Sequence, residues 1–245
     1  MRHVLLGAAA ALALVLHTPA GAQDKPEATR VRLAVGGKSA IFYLPLSVTE
    51  RLGYFRDAGL EVEIADVQSG ARALQSLIGG SADMSVGTFD HAIQMQAKGQ
   101  SIVAVTQYGR YPGFVLGTIA SKAIAYDGPH SLKGLKIGVT SPGSSTHFMA
   151  AYMLLRSGLK PDDASFVGTG VTSTAVAAAR RAEIDAIVSS DPMVSLMQGE
   201  GLVSVVADTR TPEGTQAVYG GPIPAAWSIR HRLSLRKTPA PCKRS

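Results

Sequence analysis

From Val31 onward the chain repeats one pattern: a short apolar run, a glycine turn, then apolar positions at helical spacing. Val31-Arg32-Leu33-Ala34-Val35 alternates and ends in Gly36-Gly37, which predicts a strand, and a helical stretch over 44–52 is closed by Gly53. Residues 62–67 form a second predicted strand. Ala71, Leu74, Leu77 and Ile78 then share one helical face, stopped by Gly79-Gly80. Ala82, Met84 and Val86 mark a third strand, Asp90 stands where it could cap a helix running to Lys98, and 102–105 gives a fourth strand. After Pro112 the pattern restarts. Strands are expected over 136–140, 165–167, 184–188 and 202–207. Phe148, Ala151, Tyr152 and Leu155 form one helical face between the first two, and an alanine-rich helix covers 172–182. Short strands alternating with helices imply mainly parallel sheets flanked by helices. Two such blocks, joined near residues 110–125, predict two α/β lobes with a cleft between them.

The ends of the chain follow different rules. Arg2 precedes thirteen apolar residues (4–16); Pro19 follows, and Ala20-Gly21-Ala22 offers small side chains for cleavage. That is the pattern of a secretory signal peptide over 1–22, too short for a span that needs about 20 apolar residues. Because no cysteine lies near the cleavage site, no lipid anchor is expected there. The last nineteen residues, 227–245, hold the single tryptophan (Trp227), the single cysteine (Cys242) and six basic residues without an acid. Neither helical periodicity nor strand alternation is evident in them, so they read as an aberrant basic tail.

Charge changes the picture only once it is located. The formal net charge is +6, but Arg2 and the six basic tail residues account for seven of the 24 Lys and Arg. The rest of the chain therefore sets 17 basic residues against all 18 acids. No basic body remains to follow a phosphate backbone, so no nucleic-acid partner is expected. With one cysteine there is no disulfide framework and no cysteine-rich zinc site. Gly37-Lys38-Ser39 resembles the end of a phosphate-binding P-loop, but the position that needs the first glycine is Arg32. No GxGxxG follows the first strand and no HExxH is present, so neither a cofactor nor a metal is expected.

The segment 138–147, GVTSPGSSTH, is the most informative. A strand ends, a Pro-Gly turn follows, and Ser144, Ser145 and Thr146 open a helix. Free backbone N–H groups, the positive end of the helix dipole and three hydroxyls make an oxyanion site there, although capping alone accounts for one hydroxyl. A serine hydrolase with Ser144 or Ser145 as nucleophile and His147 as base is the rival, but the G-x-S-x-G elbow is missing. Lys38, Ser39, Thr88, Phe89, Asp90, Tyr108, Arg110 and Asp191 also fall at strand ends, where open α/β sheets bind ligands.

Several motifs in order resemble the solute-binding proteins of nitrate, taurine and aliphatic-sulfonate ABC transporters, which share a fold with thiamine-pyrimidine-precursor-binding proteins. They are Tyr43-Leu44-Pro45-Leu46, Leu52-Gly53-Tyr54-Phe55, the run from Asp90 to Gly99, Gly109-Arg110-Tyr111-Pro112-Gly113, 135–146 and Gly220-Gly221-Pro222. The resemblance implies a type II periplasmic binding protein of two lobes, without catalysis, monomeric and periplasmic. Such a protein takes a small anionic solute (sulfonate, nitrate or taurine) and delivers it to an inner-membrane permease with a cytoplasmic ATPase. A pyrimidine-precursor binder and a non-functional truncated fragment are the alternatives. The family's contact loops match Lys38, Ser39, Thr88, Phe89, Asp90, Ser144, Ser145, Thr146 and Asp191. The expected organisation is a first lobe over 23–112, a second over 113–212, the start of a return to the first at 213–226, and the tail at 227–245. The family continues with a strand and helices where this chain has the tail, so the first lobe is expected to be incomplete. The tail then reads as a frameshift product: permitted codons include a set whose shifted frame spells VYSTPAFIEKNPGTVQAL, close to such a continuation.

Overall fold

The computed structural model describes residues 29–231; the expected signal peptide and residues 232–245 lie outside the described residues. Among the described residues ten strands form two five-stranded sheets. The first sheet contains β1 (Arg30–Val35), β2 (Glu61–Asp66), β3 (Met84–Thr88), β4 (Ile102–Gln107) and β10 (Ala226–His231) in the order β2-β1-β3-β10-β4. The second contains β5 (Phe114–Ile119), β6 (Lys136–Val139), β7 (Ser165–Gly168), β8 (Ala186–Ser190) and β9 (Val203–Asp208) in the order β7-β6-β8-β5-β9. Both sheets have the same logic. Four strands run one way, and one strand, β10 or β5, inserts antiparallel next to the edge. The sheets are mainly parallel, as the alternating pattern implied.

Helices cover the faces of each sheet. α1 (Leu44–Arg51), α2 (Tyr54–Asp57), α3 (Gly70–Ile78) and α4 (Asp90–Ala97) belong to the first lobe. The second has α5 (Ser145–Arg156), α6 (Ser173–Arg180), α7 (Met193–Gly199) and α8 (Pro212–Tyr219). Leu33, Val35, Tyr43, Leu46, Val86 and Ala226 pack together in one core, and Leu74, Leu77, Ala92, Met95, Ile102 and Ile229 in another. The second lobe is likewise double-sided: Leu116, Ile137, Met149 and Leu154 form one core, and Ala175, Val176, Ile184 and Met197 the other. Each fully buried Leu, Ile or Met contributes about 1.5–3 kcal/mol relative to an exposed side chain.

Two strands differ from the sequence reading. β5 escaped it because all six residues of FVLGTI are buried, leaving no alternation to detect. β10 corrects the expectation that the first lobe lacks its returning strand. Trp227, Ser228, Ile229, Arg230 and His231, read as the start of an aberrant tail, pair with β3 on one side and β4 on the other. A register shift between Ser228 and Ile229 interrupts the alternation there. Burying Ser228 and Ile229 while Trp227 packs on Phe89 gives the segment a core role.

The chain crosses between lobes after β4 and again after α8. The two crossings are tied to each other, with Tyr108 N–H donating to the Ala226 carbonyl at 2.7 Å and Ala225 N–H to that of Gly109 at 3.1 Å. Because α8 packs on β9, the return to the first lobe begins beyond Tyr219. Among the described residues no helix is long and apolar enough to cross a membrane.

Candidate functional site

The carboxyl ends of β1 and β3 face those of β6 and β8 across the interlobe cleft. Two small cavities lie there, of about 30 and about 20 Å³, and both are lined by Thr88, Phe114 and Ser145. The first also meets Tyr43, His91, Thr140 and Ser190; the second meets Asp90, Phe148 and Tyr219. Spaces of this size hold a water or two, so a solute requires the lobes to part before they close on it. A larger cavity of about 690 Å³ lies within the second lobe around Met153, Arg156, Val206 and Val218. The Arg156 guanidinium there is engaged by the Ala217 and Val218 carbonyls, at 3.0 and 2.7 Å, and no residue of the first lobe lines the space.

At the centre of the cleft a hydroxyl from one lobe meets a carboxylate from the other. Ser145 Oγ, in the first turn of α5, donates to Asp90 Oδ1 at 2.8 Å and also contacts Thr88 Oγ1. Thr88 Oγ1 donates to the same Asp90 oxygen, while Gln94 Nε2 donates to Asp90 Oδ2 at 2.9 Å. His91 Nε2 stands 3.4 Å from Ser145 Oγ; its Nδ1 is buried without a hydrogen-bond partner. A second contact across the cleft joins Ser69 Oγ and Ser141 Oγ at 2.6 Å, and a third joins Ile41 N–H to the Asp191 carbonyl at 3.0 Å. Burial holds the Tyr43 and Tyr219 phenols above their ordinary value, and the Asp90 charge pushes both further in that direction.

The hydroxyl-rich turn divides its labour. Ser144 is the N-cap of α5, its Oγ accepting from His147 N–H at 3.4 Å and lying 2.8 Å from Thr146 Oγ1. Thr146 Oγ1 accepts from Thr140 N–H at 2.9 Å. These two hydroxyls hold the turn, and Ser145 alone of the three reaches the other lobe. His147 does not serve Ser144 or Ser145 as a base. Its Nδ1 accepts from Gly143 N–H at 2.9 Å, its ring lies on Phe166, and burial lowers its pKa. The nucleophile–base pairing of the hydrolase reading is therefore not formed.

The other expected site residues separate into engaged and cleft-facing groups. Lys38 pairs through Nζ with Glu50, and Ser39 is exposed. The P-loop-like turn is closed by a protein carboxylate: Asp66 accepts from Gly37 N–H and Lys38 N–H, each at 3.0 Å. Phe89 turns to Trp227 and the core. Asp191, one residue before the Pro192 N-cap of α7, accepts from Ser195 N–H at 3.0 Å and pairs with Arg210 at 3.1 Å. Burial opposes ionisation of Asp191, but hydrogen bonds from Ser195 and Arg210 outweigh it and hold the carboxyl below its usual range. Tyr108 bonds Ser228, and Arg110 is exposed. The capping role expected for Asp90 is also corrected: Phe89 is the N-cap of α4, and the Asp90 carboxylate points into the cleft. Thr88, Asp90 and Ser145 are thus the expected residues that the fold brings together. His91, Phe114, Tyr43, Ser69 and Ser141 complete the cleft. Of these, Tyr43, His91 and Ser141 lie inside the matching motifs, whereas Phe114 and Ser69 carried no sequence signal.

Comparison with known proteins adds the lineage. The model of the family described as NMT1/THI5 like matches residues 42–214, which include Thr88, Asp90 and Ser145. The chain belongs to the NMT1/THI5-like family. A solved structure from Bordetella bronchiseptica RB50 is 43% identical, covers 85% of this chain and 66% of its own, and superposes with a TM-score of 0.82. The alkanesulfonate-binding protein SsuA of Xanthomonas axonopodis pv. citri, solved bound to MOPS, shares the fold at 21% identity. Its TM-score is 0.65, with 86% of this chain and 68% of SsuA covered. The 4-amino-5-hydroxymethyl-2-methylpyrimidine phosphate synthase THI11 of Saccharomyces cerevisiae is 24% identical over 130 residues, 53% of this chain and 37% of THI11. The chain spans 37–56% of the length of the curated relatives it matches. The architecture is that of the type II periplasmic binding proteins, with two sheets facing one cleft.

Proposed function

We propose that this NMT1/THI5-like chain is the extracytoplasmic solute-binding component of an ABC importer, closing its lobes on a small anionic solute. The observation that carries the reading is the meeting of Ser145 with Thr88 and Asp90, a buried polar contact between lobes where a fixed interface would bury apolar groups. The oxyanion end of the solute lies at the first turn of α5, where backbone N–H groups and the helix dipole favour negative charge. Thr88, Asp90, His91 and Ser145 are the contacts, with Ser144 and Thr146 framing the turn. Delivery is to an inner-membrane permease with its cytoplasmic ATPase, from the periplasm, by a monomer cleaved after Ala22. No reaction is catalysed: Ser145 donates its hydrogen bond to the Asp90 carboxylate, and the nearby His91 has no hydrogen-bond partner on Nδ1 to orient it as a base.

The test is calorimetric titration of the full chain with nitrate, alkanesulfonates, carboxylates and pyrimidines. One class should bind with unit stoichiometry, and Ser145→Ala should weaken it about tenfold to a hundredfold, the worth of one charge-assisted hydrogen bond. Saturable binding unchanged by Ser145→Ala would remove the site from the cleft. A pyrimidine precursor is the second reading, favoured by the aromatic rings of Phe42, Tyr43 and Phe114 lining the larger cleft cavity.

A further inference from the structure

The feature of the cleft least suited to a simple anion is Asp90. Its side chain is nine-tenths buried, and the hydrogen bonds it accepts come from neutral groups: Thr88, Ser145 and Gln94. No Lys or Arg of the described residues pairs with it; the nearest ionisable partner is His91, whose Nδ1 stands 3.8 Å from Oδ2. Neither cleft cavity has a Lys or Arg in its lining. Buried carboxylates are ordinarily matched by a cation or by a full set of donors, because leaving the charge desolvated is costly. Here the set depends on the other lobe. A carboxylate offers about four acceptor positions, and one of the three in use is filled by Ser145, which withdraws when the lobes part.

We infer that the solute carries an N–H-bearing nitrogen, an ammonium or an amino substituent, which Asp90 receives in the place that Ser145 Oγ occupies when the lobes meet directly. This rests on the solute-binding reading above and narrows it. A bare oxyanion at the start of α5 would face the Asp90 charge across a dry space, whereas an amine on the same molecule converts that repulsion into a charge-assisted hydrogen bond. His91, with one ring nitrogen unpartnered and the other near Ser145, is a second polar group available to such a solute. The rings of Phe148 and Tyr219 beside Asp90 suit a cationic or aminoaromatic group as well. Asp90 is therefore the residue that selects among solutes the α5 terminus alone would accept.

Two matched pairs of probes isolate the nitrogen: 2-aminoethanesulfonate against ethanesulfonate, and 4-amino-5-hydroxymethyl-2-methylpyrimidine against its 4-oxo counterpart. Each is titrated calorimetrically into the full chain and into Asp90→Asn, which keeps an acceptor oxygen for Thr88. The amino member of one pair should bind at least tenfold more tightly than its partner, the pair identifying which molecular frame is taken. Asp90→Asn should erase the preference and strengthen the unaminated member. The comparison on the unaltered chain stands even if the variant folds poorly. Equal affinities within a pair that binds, binding of nitrate or an unsubstituted sulfonate alone, or a preference that survives in folded Asp90→Asn would each overturn the inference while leaving a solute-binding protein. Failure of every probe, nitrate and carboxylates included, would overturn both.

Discussion

Replacing Ile229 by Ala tests whether the segment beyond Ala226 is a working part of the first lobe. Ile229 is fully buried in β10 and belongs to the core that contains Leu74, Leu77, Met95 and Ile102. Its neighbours come from α3, α4 and β4, elements fixed by the sheet, so collapse into the vacated volume is restricted. Truncating a buried Ile to Ala costs about 2–5 kcal/mol, the upper part of that range applying where relaxation is limited. A loss of about 3 kcal/mol corresponds to a fall in Tm of about 6–12 °C for a chain of this size. Trp227 is the single tryptophan and sits two residues away on the same strand, so its fluorescence reports the unfolding of β10 directly in a urea titration. Val205→Ala, at a position 37% exposed in β9, is the control and should change stability by less than about 1 kcal/mol. If Ile229→Ala unfolds within about 0.5 kcal/mol of the parent chain, or Trp227 emission already matches denatured protein before urea is added, β10 does not pack as described.

Two further outcomes follow from the geometry of the cleft walls. A Cβ on Gly36 would lie 2.2 Å from Gly70 N, backbone against backbone where β1 meets α3. Gly36→Ala should therefore cost about 3 kcal/mol or more, and a melt identical to the parent would contradict the close approach. The second concerns His147, whose pKa burial lowers below its ordinary 6.5. The unfolded chain then takes up a proton first as pH falls, so stability present above about 6.5 is lost as pH drops towards the folded value. Urea titrations at pH 7 and pH 5 should show a larger loss for the parent than for His147→Gln; equal losses would refute that role.

The repeating strand–helix pattern was legible because short apolar runs are separated by glycine turns and by apolar positions at helical spacing. Apolar and polar residues alternate in the sequence of β1, β2 and β3, yet only β2 alternates in burial, because consecutive residues of β1, β3 and β6 are buried. β5 was hidden by burial on both faces, and β10 by its bulge and by basic residues at Arg230 and His231. In the site, the sequence singled out the start of α5, but it could not tell which hydroxyl would cap and which would cross. That depends on helix phase: Ser144 and Thr146 turn back onto 140–144, and Ser145 faces Asp90. Lys38 and Asp191 looked equally placed at strand ends, yet Glu50, Ser195 and Arg210 engage them, partners 12, 4 and 19 positions distant in the chain. Ser69 facing Ser141 is visible only once the two lobes are folded against each other.

Closure of the cleft on a solute is most directly measured as a distance between the lobes. Spin labels at exposed Leu52 of the first lobe and exposed Leu196 of the second, introduced as cysteines with Cys242 replaced by Ser, report that distance by pulsed electron resonance. Adding the tightest-binding probe at saturation should collapse a broad distribution to one narrow, shorter distance, and Ser145→Ala should shift the required concentration upward. An unchanged distribution at concentrations where calorimetry shows full occupancy would contradict a site between the lobes.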